Sequence, residues 1–133
     1  MKGDNTMGYE SRVFIIDRRE NEGGFVWGEE IARFDLCKMG WEIVAGKQFR
    51  EVFKTPIDFD LDIPLTGVKD LPYRADAYGD ICKSASISDV MGWLEKSTVL
   101  REYRRAKLFY DFLKVMQEHE SEYREIVLVH YGY

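Results

Sequence analysis

The sequence predicts an α+β fold. An antiparallel or mixed sheet carries two helices from the C-terminal half, packed mainly on one face, and the final strand lies in the sheet centre. Three observations support this. Glu125-Ile126-Val127-Leu128-Val129-His130-Tyr131-Gly132-Tyr133 reads as a strand, although chain ends usually fray. Arg12-Val13-Phe14-Ile15-Ile16-Asp17 is its counterpart near the other end. Both runs are apolar at alternating and intervening positions, so both faces of each strand should be covered. Beyond Tyr78-Gly79-Asp80 the apolar period becomes helical. A chain of 133 residues fits one domain, expected over residues 8–133 behind a loose tail at 1–7. It can bury a core without disulfide or metal staples.

Strand one is expected from about Tyr9 to Asp17. Arg18-Arg19-Glu20-Asn21-Glu22-Gly23-Gly24 then gives a charged turn ending in glycines, a hairpin signal. Strand two should run from about Phe25 to Leu36. Ala32, Phe34 and Leu36 form its apolar side, Arg33 and Asp35 its wet side, and Gly28 marks a bulge. Trp41-Glu42-Ile43-Val44 and Phe49-Arg50-Glu51-Val52-Phe53 suggest short strands around Gly46. Pro56, Pro64 and Pro72 interrupt regular structure thereafter, and so long a loop in a small domain is often functional. Ile87, Val90, Met91 and Leu94 share one helical face, with Ser86 and Asp89 as a capping box. A longer helix is expected over Val99–His119, and the last strand over Arg124–Tyr131.

Composition narrows the function classes. Hydrophobic residues at 45% and charged residues at 32% are globular values. A net charge of −5 argues against a general nucleic-acid binder, which needs a basic footprint, and is an ordinary solubility charge. Cys37 and Cys82 are too few for a disulfide framework and lack metal-ligand spacing, so they read as small core or turn residues in a reducing compartment. The polar start Met1-Lys2-Gly3-Asp4-Asn5-Thr6 lacks an apolar region of the signal-peptide kind. No apolar stretch approaches transmembrane length. Met7-Gly8 fails as an acylation start because Arg12 stands where Ser or Thr is needed. A soluble intracellular protein is expected, without membrane contact.

No catalytic or cofactor motif emerges. Asp58-Phe59-Asp60-Leu61-Asp62 alternates carboxylates with apolar residues, which in a strand would put the aspartates on one face. A calcium loop would require Gly and Glu where Ile63 and Lys69 stand. The simpler reading is an edge strand whose charges block pairing. Gly40-Trp41-Glu42-Ile43-Val44-Ala45-Gly46-Lys47-Gln48 misses the phosphate-loop pattern in its glycine spacing and in Gln48, where Ser or Thr belongs. Asp76-Ala77-Tyr78-Gly79-Asp80 reads as a polar turn. His119 should end the long helix, where a cation suits the dipole. His130 lies on the last strand without a second ligand at metal-binding spacing.

The long helix is apolar on two sides. Val99, Tyr103, Ala106, Phe109, Tyr110, Leu113 and Met116 form its core face. Leu108, Phe112 and Val115 lie roughly opposite, flanked by Arg101, Arg104 and Arg105. Such a helix is sandwiched within the domain or meets a partner. Those six residues are the expected partner surface, since arginine and aromatic residues suit interface hot spots. The simplest partner is a second copy.

Four segments together resemble small uncharacterised proteins encoded by bacteriophages and prophages of Gram-positive bacteria. They are Met7-Gly8-Tyr9-Glu10-Ser11-Arg12-Val13, Asp35-Leu36-Cys37-Lys38-Met39-Gly40, Tyr103-Arg104-Arg105 and Val129-His130-Tyr131-Gly132-Tyr133. The likeness spans most of the chain and implies a viral accessory protein in the host cytoplasm. Many such proteins bind host proteins stoichiometrically, some as inhibitors of defence systems. The leading expectation is therefore a non-enzymatic phage protein that binds a host or phage protein and needs no cofactor. The alternative is a small metal-dependent or nucleotide-handling enzyme, with Asp58, Asp60, Asp62, Asp76 and Asp80 as candidate ligands. A self-assembling virion component is a third reading.

Overall fold

The structure, a computed structural model, describes residues 11–37, 39–40, 43, 47–61, 74–76, 79–120 and 125–132. The expected tail at 1–7 lies outside them. β1 (Ser11–Glu20) and β2 (Val26–Asp35) form the predicted hairpin. Its turn closes through Asn21, whose side-chain oxygen accepts from the Phe25 amide at 2.9 Å. Gly24 adopts the left-handed φ of 82° there, which L side chains avoid. A short helix α1 (Lys47–Arg50) leads to β3 (Thr55–Pro56) and β4 (Lys83–Ala85). Helices α2 (Ile87–Lys96), α3 (Val99–Glu102) and α4 (Arg104–Glu118) precede β5 (Ile126–Gly132). The five-stranded sheet is antiparallel throughout, in the order β2-β1-β5-β4-β3. The last strand is thus central and pairs with β1 from Ser11–Gly132 to Asp17–Ile126.

Both faces of the central strands are covered. On one face Val13, Ile15, Ile126 and Leu128 pack with Ile87, Val90, Leu94, Phe109 and Leu113 of the helices. On the other, Phe14, Ile16, Val129 and Tyr131 pack with Ile57, Phe59, Leu61 and Cys82. The α2 start follows its capping box: Ser86 Oγ accepts from the Asp89 amide at 3.0 Å, and Ile87, Val90, Met91 and Leu94 are buried.

Four expectations need correction. The bulge lies at Ile31, because Ile15 faces Ala32 whereas Ile16 faces Glu30. The flip sends Arg33 to the face opposite Phe34, over the Phe14 ring at 5.0 Å. Gly28 instead makes room: a Cβ there would lie 2.6 Å from Ile16 and 2.7 Å from the Phe59 ring. Phe49 and Arg50 are helical, not extended; with Phe49 and Phe53 both buried, the spacing serves one side of a helical turn. Of the predicted strands in that region, Trp41, Glu42 and Val44 lie outside the described residues. The described part of the Asp58–Asp62 segment, Asp58 to Leu61, is not an edge strand. Pairing stops at Pro56, and the chain then lies across the second sheet face with Ile57, Phe59 and Leu61 buried. Lastly, the long helix is two helices. Tyr103 is extended between α3 and α4 at φ −128°, ψ 117°, and its ring packs so close to Gly40 that a Cβ there would lie 2.9 Å away. No Gly or Pro signals that break in the sequence.

Candidate functional site

Arg18 sits on the second sheet face through the register of β1. Its guanidinium donates to both carboxylate oxygens of Asp58, at 3.1 and 2.6 Å, and to Glu125 at 3.2 Å. The hydrogen bond from Arg18 holds the Asp58 carboxyl below the usual carboxylate range. Asp60 pairs more loosely with Arg74 at 3.5 Å. These aspartates therefore fasten the segment to the sheet. Asp76 and Asp80 close a turn elsewhere: the Asp80 amide donates to Asp76 Oδ1 at 3.1 Å, and Gly79 takes a positive φ of 87°. The Asp76–Asp80 turn is as expected. Asp62 lies outside the described residues. Among the described residues, no three His, Cys, Asp or Glu side chains come together as a metal-holding group.

The residues of the expected partner surface divide between α3 and α4. Ala106, Phe109, Leu113 and Met116 bury the inner side of α4. Leu108 and Val115 on its outer side are 55% and 51% exposed; Arg104 and Arg105 of the same helix are exposed, as is Arg101 on α3 across the break at Tyr103. Phe112 differs: it is half-buried, with its ring 5.3 Å from that of Phe34 on β2. The bulge at Ile31 is what turns Phe34 toward the helix. A shallow groove of about 220 Å³ continues the surface between β2 and α4, lined by Arg33, Phe34, Asp35, Met39, Arg105 and Leu108. Tyr103, expected in the core, is exposed.

A second site was not legible as such in the sequence. His130 is on the inner face of β5, only 9% exposed. Its Nε2 lies 3.0 Å from Ser11 Oγ, and the Phe53 ring is 5.5 Å away. It borders a cleft of about 530 Å³ shared with Arg50, Glu51, Lys54, Asp76 and Lys83. Lys83 is its cross-strand partner, close enough for side chains to interact. Cys82, in the same wall, has its thiol pushed up to about 12 by burial and by Asp76, which makes it a poor nucleophile. Cys37, also raised by burial, lies in the turn after β2.

Burial, and then the neighbouring Arg50, push His130 from 6.5 down to about 4. The unfolded ring titrates near its ordinary value. Between the two, the unfolded chain binds a proton that the folded chain refuses. The contribution is intact above about pH 6.5 and is lost as pH falls toward 4, reaching about 3 kcal/mol. Denaturant melts at pH 7.5 and 4.5 should show wild type losing about 2–3 kcal/mol more than His130→Gln. Equal losses would show that His130 is not held neutral.

No protein-family model, curated protein or solved structure matches the chain. Among the described residues, no helix is long and apolar enough to cross a membrane.

Proposed function

We propose that this protein is a bacteriophage accessory factor acting in the host cytoplasm by stoichiometric, non-catalytic binding of a host protein, with a defence enzyme as the favoured class of target. The viral assignment rests on the resemblance of the four segments. The binding mode rests on one observation: α4 buries one side completely yet exposes Leu108 and Val115 together with Arg104 and Arg105, and Arg101 is exposed on the preceding α3. Exposed apolar residues rimmed by polar ones are the signature of an interaction surface, and arginine is enriched at interface hot spots. The pairing of Asp58 with Arg18 gives the metal-enzyme alternative no comparable support.

Leu108→Asp/Val115→Asp is the informative double variant, because both side chains are exposed and surface changes usually move stability by about 0.5 kcal/mol or less. Phe112→Asp is less useful, since Phe112 packs on Phe34. Tagged wild-type protein should retain one host protein near equimolar ratio from a Gram-positive lysate, read by mass spectrometry. The double variant should lose it at least tenfold while melting normally. Equal retention would remove α4 from the account. A wild-type dimer that the variant converts to monomer in sedimentation would give the strip to a second copy.

A further inference from the structure

We propose that the cleft beside His130 binds a phosphomonoester, the dianionic phosphate group of a nucleotide or other small metabolite. This goes beyond the α4 surface, which is a different part of the molecule. Arg50, Lys54 and Lys83 border the cleft from α1, the turn after it, and β4. Among the described residues none of these cations is in an ion pair. Two carboxylates also face the space. Asp76 Oδ1 already accepts from the Asp80 amide, and Glu51 stands at the exposed rim.

The independent pointer is His130. The ring is about nine-tenths buried and forms part of the cleft wall. Ser11 lies within hydrogen-bond distance of Nε2, while Nδ1 is not a buried atom left without a partner. Nδ1 is therefore open to the cleft, where it can bond a ligand. Arg50 is near enough to disfavour a proton on the ring, and Lys83 is directly across the strand pair. An anion in the cleft would be attracted by these cations, and its binding would stabilise the folded chain. A phosphate dianion suits dispersed cations better than a single carboxylate. It offers several acceptor oxygens, a guanidinium can grip two of them, and ammonium groups serve as point charges. The volume lies within the ordinary range for small-molecule sites, about 300–1,000 Å³.

The test is an NMR titration of the two histidine rings with orthophosphate, glycerol 3-phosphate and a nucleoside 5′-monophosphate, each against sodium chloride at equal ionic strength. His130→Gln assigns the signals. The expected result is a saturable shift at His130 but not at exposed His119. The His130 titration midpoint should also rise, because the dianion offsets Arg50. Arg50→Gln and Lys83→Gln should each weaken binding at least tenfold, with the ligand-free melting temperature unchanged or raised. Tightest binding by the nucleotide supports a nucleotide source, and tightest binding by glycerol phosphate supports a smaller metabolite. Three results would overturn the site: no saturable His130 shift with any of the three, the same shift in sodium chloride, or unchanged affinity in both variants.

Discussion

Removing residues 126–133 should abolish cooperative folding. β5 is hydrogen-bonded on both sides, to β1 and to β4. Ile126 and Leu128 point into the helix-side core, and Val129 and Tyr131 into the other. Each such side chain contributes about 1.5–3 kcal/mol on full burial, while a whole domain is stable by only about 5–15 kcal/mol. The truncated chain would also expose inner edges of β1 and β4, inviting aggregation. Circular dichroism should show no cooperative melt for the truncated protein. A transition matching wild type would mean that the sheet closes without β5.

Phe59→Ala should cost about 3–5 kcal/mol, the range for deleting a buried aromatic ring. Phe59 is the central plug of the second sheet face, buried between Ile57 and Leu61 on a segment with almost no strand pairing of its own. Its ring enters the gap left by Gly28, within reach of Ile16. The local polar anchor, Arg18 with Asp58, is solvent-exposed, and exposed pairs contribute only about 0–1 kcal/mol. Little else local compensates for the lost ring. Urea unfolding should show the midpoint falling strongly, whereas Arg18→Gln should lower it much less. A change below about 1 kcal/mol for Phe59→Ala would fall outside the range for a buried ring and contradict its role as a plug.

The fold was legible where local and tertiary demands agree. The runs Val13–Ile16 and Ile126–Val129 are apolar on consecutive positions because helices cover one side of them and the 57–61 segment the other. Ser86 and Asp89 announced α2 because a cap is a local hydrogen bond. The break at Tyr103 was not legible: no Gly or Pro marks it, and the neighbour of its ring, Gly40, is far away in sequence. The aspartates misled for a related reason. Alternation correctly separated buried Phe59 and Leu61 from exposed Asp58 and Asp60, but it cannot distinguish pairing at a sheet edge from lying across a sheet face. On α4, the angular argument found the exposed strip and erred at Phe112, whose cover is Phe34 from a bulged strand. The His130 cleft was hidden because Arg50, Lys83 and Ser11 meet it only through the sheet register and α1.

The central claim, that the outer side of α4 holds a partner, is tested most directly by site-specific photo-crosslinking in a Gram-positive host. Benzoylphenylalanine is placed at Leu108, at Val115 and, as a control, at Phe25, which is exposed at the hairpin end. The account predicts one adduct of the same mass from positions 108 and 115, containing a single host protein, and none from position 25. An adduct confined to position 25, or none at 108 and 115 from well-expressed folded protein, would contradict it.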